Sequence, residues 1–420
     1  MIKRDTYLKR LIAKKKNGRV KIITGIRRCG KSYLLFHIYK EYLMSIRTDP
    51  EHIIEIALDK KRFEDLRNPN LLYEYIEKRI GNNEEEYCIF IDEIQLSYKI
   101  KKNIDLGLVP EEDRDLAYTT YYDILNDLMS RENLDIYVTG SNSKMLSTDI
   151  ATNFRDRGSE IKLYPLSFSE YCSVAGKEKA EAWADYIVYG GMPLAVLEQD
   201  EKEKVNYLGS LFQRVYLADI IERYKIENRT VLESLASVLA SSVGSLTNPA
   251  KLSNTMNTVN HAGTSDKTIR KYLDALEDAF VFKKAARYDI KGKSYFDYPM
   301  KYYAVDVGLR NALLNFRQIE ETHLMENILY NELIIRGYSV DVGAIRISKS
   351  VDGKKQESQH EIDFVVNTGI KKIYIQSALT IASENKKQKE ILPLLKSGDF
   401  FKKFVVTGGS QKPEIQCTSR

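Results

Sequence analysis

The chain has 420 residues, more than one hydrophobic core usually serves, so two or three domains are expected. Apolar residues make up 43% and charged residues 29%, with both signs interspersed, which excludes a chain dominated by disorder. The formal charge of +5 is a small excess of 64 basic over 59 acidic residues, so bulk charge cannot argue for nucleic acid and only a local patch could.

No run approaches the ~18 consecutive apolar residues of a membrane span, so no membrane role is expected. Cys29, Cys88, Cys172 and Cys417 lie far apart without metal-ligand spacing, which fits a reducing, cytoplasmic location. The opening "MIKRDTYLKRLIAKKKNGRV" is basic and amphipathic but has no apolar core of signal type; it reads as the first helix of the fold.

The next stretch, "RVKIITGIRRCGKSYLLFHI", reads as a buried strand, a glycine-flanked basic turn and a helix. From Gly25 to Ser32 it matches GxxxxGK[ST], in which backbone N–H groups cradle phosphates and glycines allow their close approach. The expected ATP-binding residues are Gly25, Ile26, Arg27, Arg28, Cys29, Gly30, Lys31, Ser32 and Tyr33. Lys31 is expected on the β and γ phosphates and Ser32 on Mg²⁺; Arg27 and Arg28 add charge near the phosphates or face solvent. About sixty residues on, "YCIFIDEIQ" is a second buried strand, ending in two acids. Asp92 is expected to hold Mg²⁺ and Glu93 to orient and deprotonate the attacking water. The tract that follows, "SYKIKKNIDLGLVPEEDRDLAYTT", is charged and broken by glycine and proline, and reads as a loop beside the site.

A third strand, "LDIYVTGSNSKML", ends in Thr139, Ser141 and Asn142, which either sense the γ-phosphate or, through Ser141 or Ser143, cap a helix. Asn142 is carried as a catalytic candidate. Beyond it, Arg155 and Arg157 are either an arginine finger acting across a subunit boundary, with Arg157 the catalytic candidate, or solvated surface charges.

The segments "IITGIRRCGKS", "IFIDEIQ", "YYDILNDL", "YVTGSNSKMLS" and "YPLSFSEY", in this order and spacing, resemble a large bacterial and archaeal family of AAA+ superfamily ATPases whose ATPase domain precedes a domain of unknown function. The resemblance implies a central parallel sheet, ATP and Mg²⁺ as ligands, and homo-oligomeric assembly.

After the core the sequence becomes helical, with a break at Gly190, Gly191 and Pro193; this stretch is either a lid over the nucleotide or packing helices. Three short helical patterns then precede an alternating hairpin, the layout of a winged helix. In "SDKTIRKYLDALEDAF", Ile269, Leu273, Leu276 and Phe280 share one face, leaving Lys267, Arg270 and Lys271 as candidate DNA-binding residues, with Lys291 and Lys293 in the wing. Asp274, Glu277 and Asp278 further along favour the alternatives of a protein-binding or merely solvated face.

In the last part, Glu326 on a helix and Asp363 on a strand resemble the metal-binding positions of the PD-(D/E)xK nuclease core, but Gln376 stands where the last acid belongs and Ala378 where the lysine belongs. An amide removes a ligand charge and an alanine removes the group that assists the nucleophile, so cleavage is not expected. Glu361 falls on the same strand face as Asp363, not at the missing position.

The expected fold class is therefore α/β. A P-loop, AAA+-like domain over 1–165 is followed by a helical connector over 166–225, a winged-helix-like domain over 226–306, and an inactive nuclease-like domain over 307–420. The expected function is hydrolysis of ATP to ADP and phosphate, coupled to remodelling of double-stranded DNA or a protein partner. The alternatives are a nucleotide-gated binding switch with slow hydrolysis and, least favoured, an ATP-dependent nuclease.

Overall fold

The computed structural model describes residues 2–103, 110, 117–140, 154, 157–260, 263–351, 354–381 and 383–409. The chain divides into two compact units, residues 1–176 with 278–280, and residues 177–277 with 281–420.

The first unit is built on a parallel sheet of β1 (Val20–Thr24), β2 (Ile53–Ala57), β3 (Tyr87–Asp92), β6 (Leu134–Gly140) and β7 (Gly158–Lys162), in the order β2-β3-β6-β1-β7; β4 (Ile100–Lys101) and β5 (Tyr118–Thr119) form a separate antiparallel ribbon. Every residue of β1 and β3 is buried, as parallel strands covered on both faces require. On one face the helices Pro69–Ile80 and Tyr121–Leu128 present Leu72, Ile76, Ile80, Leu125 and Leu128 at three- and four-residue spacing to Ile22, Ile54, Ile89 and Val138. Lys21, inside the apolar run of β1, is buried because Asp135 on β6 pairs with it; an unpaired ammonium there would be costly. The helix Phe168–Ala175 starts at Ser167, whose hydroxyl accepts from Glu170 N–H while the Glu170 carboxylate accepts from Ser167 N–H.

The second unit carries a six-stranded mixed sheet, ordered β13-β12-β11-β10-β8-β9, of β8 (Phe282–Asp289), β9 (Ser294–Ala304), β10 (Ser339–Val351), β11 (Lys354–Asn367), β12 (Lys372–Ala378) and β13 (Lys402–Thr407). The helix Glu321–Ile335 lays Tyr330 and Leu333 on Val342, Phe364 and Ile375. The helices Arg229–Ser241, Pro249–Asn260 and Asp266–Asp278 precede the β8–β9 hairpin, and Thr247 pairs antiparallel with Met300 of β9. Phe280 stands beyond the end of its helix, at φ 57°, rather than on the helical face the spacing gave it. The hairpin is not a free wing either: β8 pairs parallel with β10, and Lys291 at the turn donates to the Arg346 carbonyl. Among the described residues no helix is long and apolar enough to cross a membrane.

Candidate nucleotide site

The strand order places the chemistry. β6 lies between β1 and β3, with Ile23 beside Thr139 and Val138 beside Ile91, so the carboxyl end of β6 stands between the glycine loop and the acids at the end of β3. The Thr139 hydroxyl bonds the Asp92 carboxylate and accepts from the Glu93 N–H at 3.0 Å. Asp92 is 4% exposed, and burial raises its pKa; the hydroxyls of Thr139 and Ser32 oppose this by donating to the carboxylate. Glu93 sits at φ 53°, a left-handed backbone that costs a non-glycine residue about 1 kcal/mol or more and turns its side chain out of the strand.

The loop from Gly25 to Gly30 leads straight into a helix over residues 31–45, whose middle turns, Leu34–Tyr39, are wider π turns. Gly25 has φ 149°, and a Cβ there would meet the Leu163 carbonyl oxygen at 2.1 Å, so only glycine lets the loop close against the end of β7. Gly30 has φ 97° with open space where a Cβ would point. Lys31 is buried and donates to the carbonyls of Gly25 (2.9 Å) and Ile26 (3.2 Å). Cys29 is buried against the Leu163 carbonyl, and burial pushes its thiol pKa up, so it acts as a packing residue of the loop. Ile26 is buried, Arg27, Ser32 and Tyr33 are half-buried, and Arg28 is exposed.

These positions suit a nucleotide and a hard divalent cation. The buried Asp92 carboxylate has hydroxyl neighbours and, among the described residues, no cationic partner within ion-pairing distance, and with Ser32 it offers oxygen donors of the type Mg²⁺ takes. A crevice of about 620 Å³ opens beside them, lined by Ser32, Tyr33, Asp59, Arg62, Phe63 and Asp92 among others.

Three contributors escape a reading of local motifs. The Gln95 amide donates to the Glu93 carboxylate, and its only signal was its place in "IFIDEIQ". Arg4, 3% exposed, donates to the carbonyls of Tyr164 (2.6 Å) and Cys29 (3.4 Å) and pairs with Glu170 at 3.0 Å, bracing the loop from the start of the chain. Asp59 enters the crevice from the end of β2. No local pattern marks either of the last two.

Arg157 is not brought to this site within its own chain. Its carbonyl accepts from Val20 N–H at 3.0 Å, at the start of β1, whereas Gly25 follows the other end of that strand. Asn142, Ser141, Ser143 and Arg155 lie outside the described residues. In the second unit Lys267, Arg270 and Lys271 are exposed on one helix, with Arg270 5.0 Å over the Tyr298 ring. Glu326 and Asp363 come together around Lys301 of β9, and Gln376 accepts from the Asp363 N–H beside them.

Residues 17–172 match the family described as AAA domain, and residues 180–320 match a domain of unknown function. An uncharacterized protein of Haemophilus influenzae is 35% identical over 97% of this chain and 94% of its own length. An uncharacterized protein of Methanocaldococcus jannaschii is 27% identical over 93% of this chain and 80% of its own length. Among solved structures, the ADP form of the Aeropyrum pernix ORC2 protein overlays 76% of this chain and 92% of its own, at 10% identity and a TM-score of 0.36. The AMPPCP-bound DnaA of Aquifex aeolicus overlays 64% and 86%, at 13% identity and a TM-score of 0.28. Overlays this loose carry no argument about the site.

Proposed function

The chain belongs to the AAA+ P-loop ATPase family, with an AAA domain followed by a domain of unknown function, and on that premise we propose that it binds ATP with Mg²⁺ and hydrolyses it to ADP and phosphate. The observation that carries this reading is the convergence of Lys31, Ser32, Asp92, Thr139 and Glu93 at the carboxyl ends of three adjacent strands.

In this reading the N–H groups of residues 25–32 and the Lys31 ammonium hold the phosphates. The ammonium exchanges its two loop carbonyls for phosphate oxygens when the nucleotide enters. Mg²⁺, held by Ser32 and Asp92, would neutralise charge on the β and γ phosphates. Glu93 takes the proton of the attacking water as its oxygen bonds the γ-phosphorus and the bond to the ADP oxygen breaks. Thr139 fixes Glu93 to Asp92 through the two hydrogen bonds already formed.

A specific contact favours a second reading, a nucleotide-gated switch with slow turnover: Gln95 engages the Glu93 carboxylate that the water requires. Steady-state ATP hydrolysis separates the two. Wild type should turn over ATP, Lys31→Ala should not bind it, and Glu93→Gln should bind it without turnover; equal hydrolysis by wild type and Glu93→Gln removes the general base. If Gln95→Ala raises turnover tenfold or more, the switch reading is preferred.

For the energy's use, the proposal extends to duplex DNA bound by the second unit. Three helices, a strand segment at Thr247 bridged to β9, and the β8–β9 hairpin follow the order of a winged helix, and Lys267, Arg270 and Lys271 face solvent at the start of its third helix. The reading is supported by this order and by exposed charge; a protein partner on the same helix is its competitor.

A further inference from the structure

One buried lysine organises the carboxylates of the second unit. Lys301 on β9 is 3% exposed, and its ammonium donates to Glu361 Oε1 at 2.7 Å and to Glu326 Oε1 at 2.9 Å, with Asp363 Oδ1 at 3.8 Å. The Tyr303 hydroxyl donates to the same Glu326 oxygen at 2.7 Å. The backbone of Gly244 closes over it, since a Cβ there would lie 3.2 Å from Glu326 Oε1. Asp363 Oδ2 accepts from Ser377 N–H at 2.8 Å.

Glu326, Asp363 and Gln376 are the positions likened above to a nuclease metal site, and the side chains present do not fit one. A divalent cation needs several oxygens converging on an open centre at about 2.0–2.6 Å. Here the ammonium fills the place where Glu326, Glu361 and Asp363 converge. Gln376 is turned to other work: its carbonyl accepts from Asp363 N–H at 3.3 Å, and its amide donates to Glu390 at 3.0 Å. Among the described residues no three His, Cys, Asp or Glu side chains are placed to hold a metal.

We propose that the Lys301 ammonium replaces the divalent cation of this carboxylate cluster, making the C-terminal domain a metal-independent module in which one β9 lysine ties the hairpin to the helix Glu321–Ile335 and to β11. The charges explain why the exchange is stable. Burial alone would lower the lysine's pKa, but Glu326, Glu361 and Asp363 outweigh it and hold the group protonated. Three carboxylates around one ammonium leave a negative excess. Without the lysine they would repel one another until a proton or a multivalent cation entered.

The test uses the full-length, nucleotide-free chain with Mn²⁺ as the probe, read by thermal unfolding and by Mn²⁺ binding in electron paramagnetic resonance. Wild type should show no change in Tm with Mn²⁺ or with a chelator beyond any that Asp363→Asn shows equally, since a cation at Asp92 would act on both alike. Lys301→Met should lower Tm by about 5 °C or more. Mn²⁺ should restore part of that loss, and Asp363→Asn added to Lys301→Met should abolish the restoration. Mn²⁺ binding by wild type that Asp363→Asn removes would overturn the proposal. So would a Lys301→Met chain with the wild-type Tm, or a destabilised one that ignores Mn²⁺. If Lys301→Met does not fold, the wild-type and Asp363→Asn binding arm decides alone, and Lys301→Arg, which keeps the charge, must remain as indifferent to Mn²⁺ as wild type.

Discussion

The Thr139 hydroxyl serves two partners at once, donating to Asp92 and accepting from the Glu93 backbone. Thr139→Val keeps the shape and removes both bonds, leaving a half-buried N–H without its acceptor and the buried Asp92 carboxylate without one donor; a stability loss of about 1–3 kcal/mol is expected in urea unfolding. If Glu93 is the general base of the proposed reaction, the lost bonds position it, and ATP turnover should fall tenfold or more while nucleotide affinity changes little; unaltered turnover would show that Thr139 is only a core residue. Asp306 makes a different prediction at the same scale. It is buried at the start of the helix Val307–Leu313, accepts from Gly191 N–H at 2.7 Å and Leu309 N–H at 2.9 Å, and burial raises its pKa to about 6. A raised carboxyl pKa means the folded chain binds the proton more tightly. This group's contribution is therefore greatest below its unfolded pKa, near 4, and is lost as pH rises through about 6. Unfolding midpoints in urea should show wild type losing stability relative to Asp306→Asn between pH 4 and 7; a constant difference would refute the shift. Lys31, Ser32, Asp92 and Glu93 were legible in the sequence because each sits in a short run whose strand and turn are local. Thr139 could be named, but its two bonds depend on β6 lying between β1 and β3, and Lys301 becomes visible only when β9, β11 and a helix meet.

Elements were legible where periodicity is strong. The apolar runs of β1 and β3, the three helices before residue 280 and the hairpin after it all form where the pattern puts them. The hairpin's place in a sheet was not legible, because β8 pairs with β10 more than fifty residues later, and a parallel pairing leaves no turn signature in the sequence. That pairing matters for the winged-helix reading, since the hairpin tip at Lys291 and Lys293 is bordered by β10 and the helix Asp266–Asp278 must supply most of any DNA contact. Lys267→Glu combined with Arg270→Glu should therefore weaken binding of duplex DNA about tenfold or more at low salt and flatten the slope of log affinity against log salt by about two. Lys291→Glu should have a smaller effect. Absence of measurable wild-type affinity at low salt would leave the helix to a protein partner.

At the scale of the whole molecule, the position of Arg157 decides what kind of assembly the ATPase could use. β1 spans five residues, so at ~3.3 Å per step its first and last Cα lie roughly 13 Å apart, and Arg157 is tied to its first residue while the phosphate loop follows its last. An arginine side chain on the far edge of the same sheet cannot bridge that separation and also turn over the strand end, so within one chain Arg157 has no route to the γ-phosphate. If it acts in hydrolysis, it acts on a neighbour's nucleotide, and the activity must depend on association. Turnover per chain should then rise with protein concentration, and Arg157→Ala should be inactive while still binding ATP. Mixing Arg157→Ala with Glu93→Gln should restore activity, because a mixed interface can pair an intact Glu93 on one chain with an intact Arg157 on the other. Turnover per chain that stays flat across the concentration range, with no recovery on mixing, would leave Arg157 as a solvated charge at the sheet's edge and the hydrolytic chemistry to Lys31, Asp92, Glu93 and Thr139 alone.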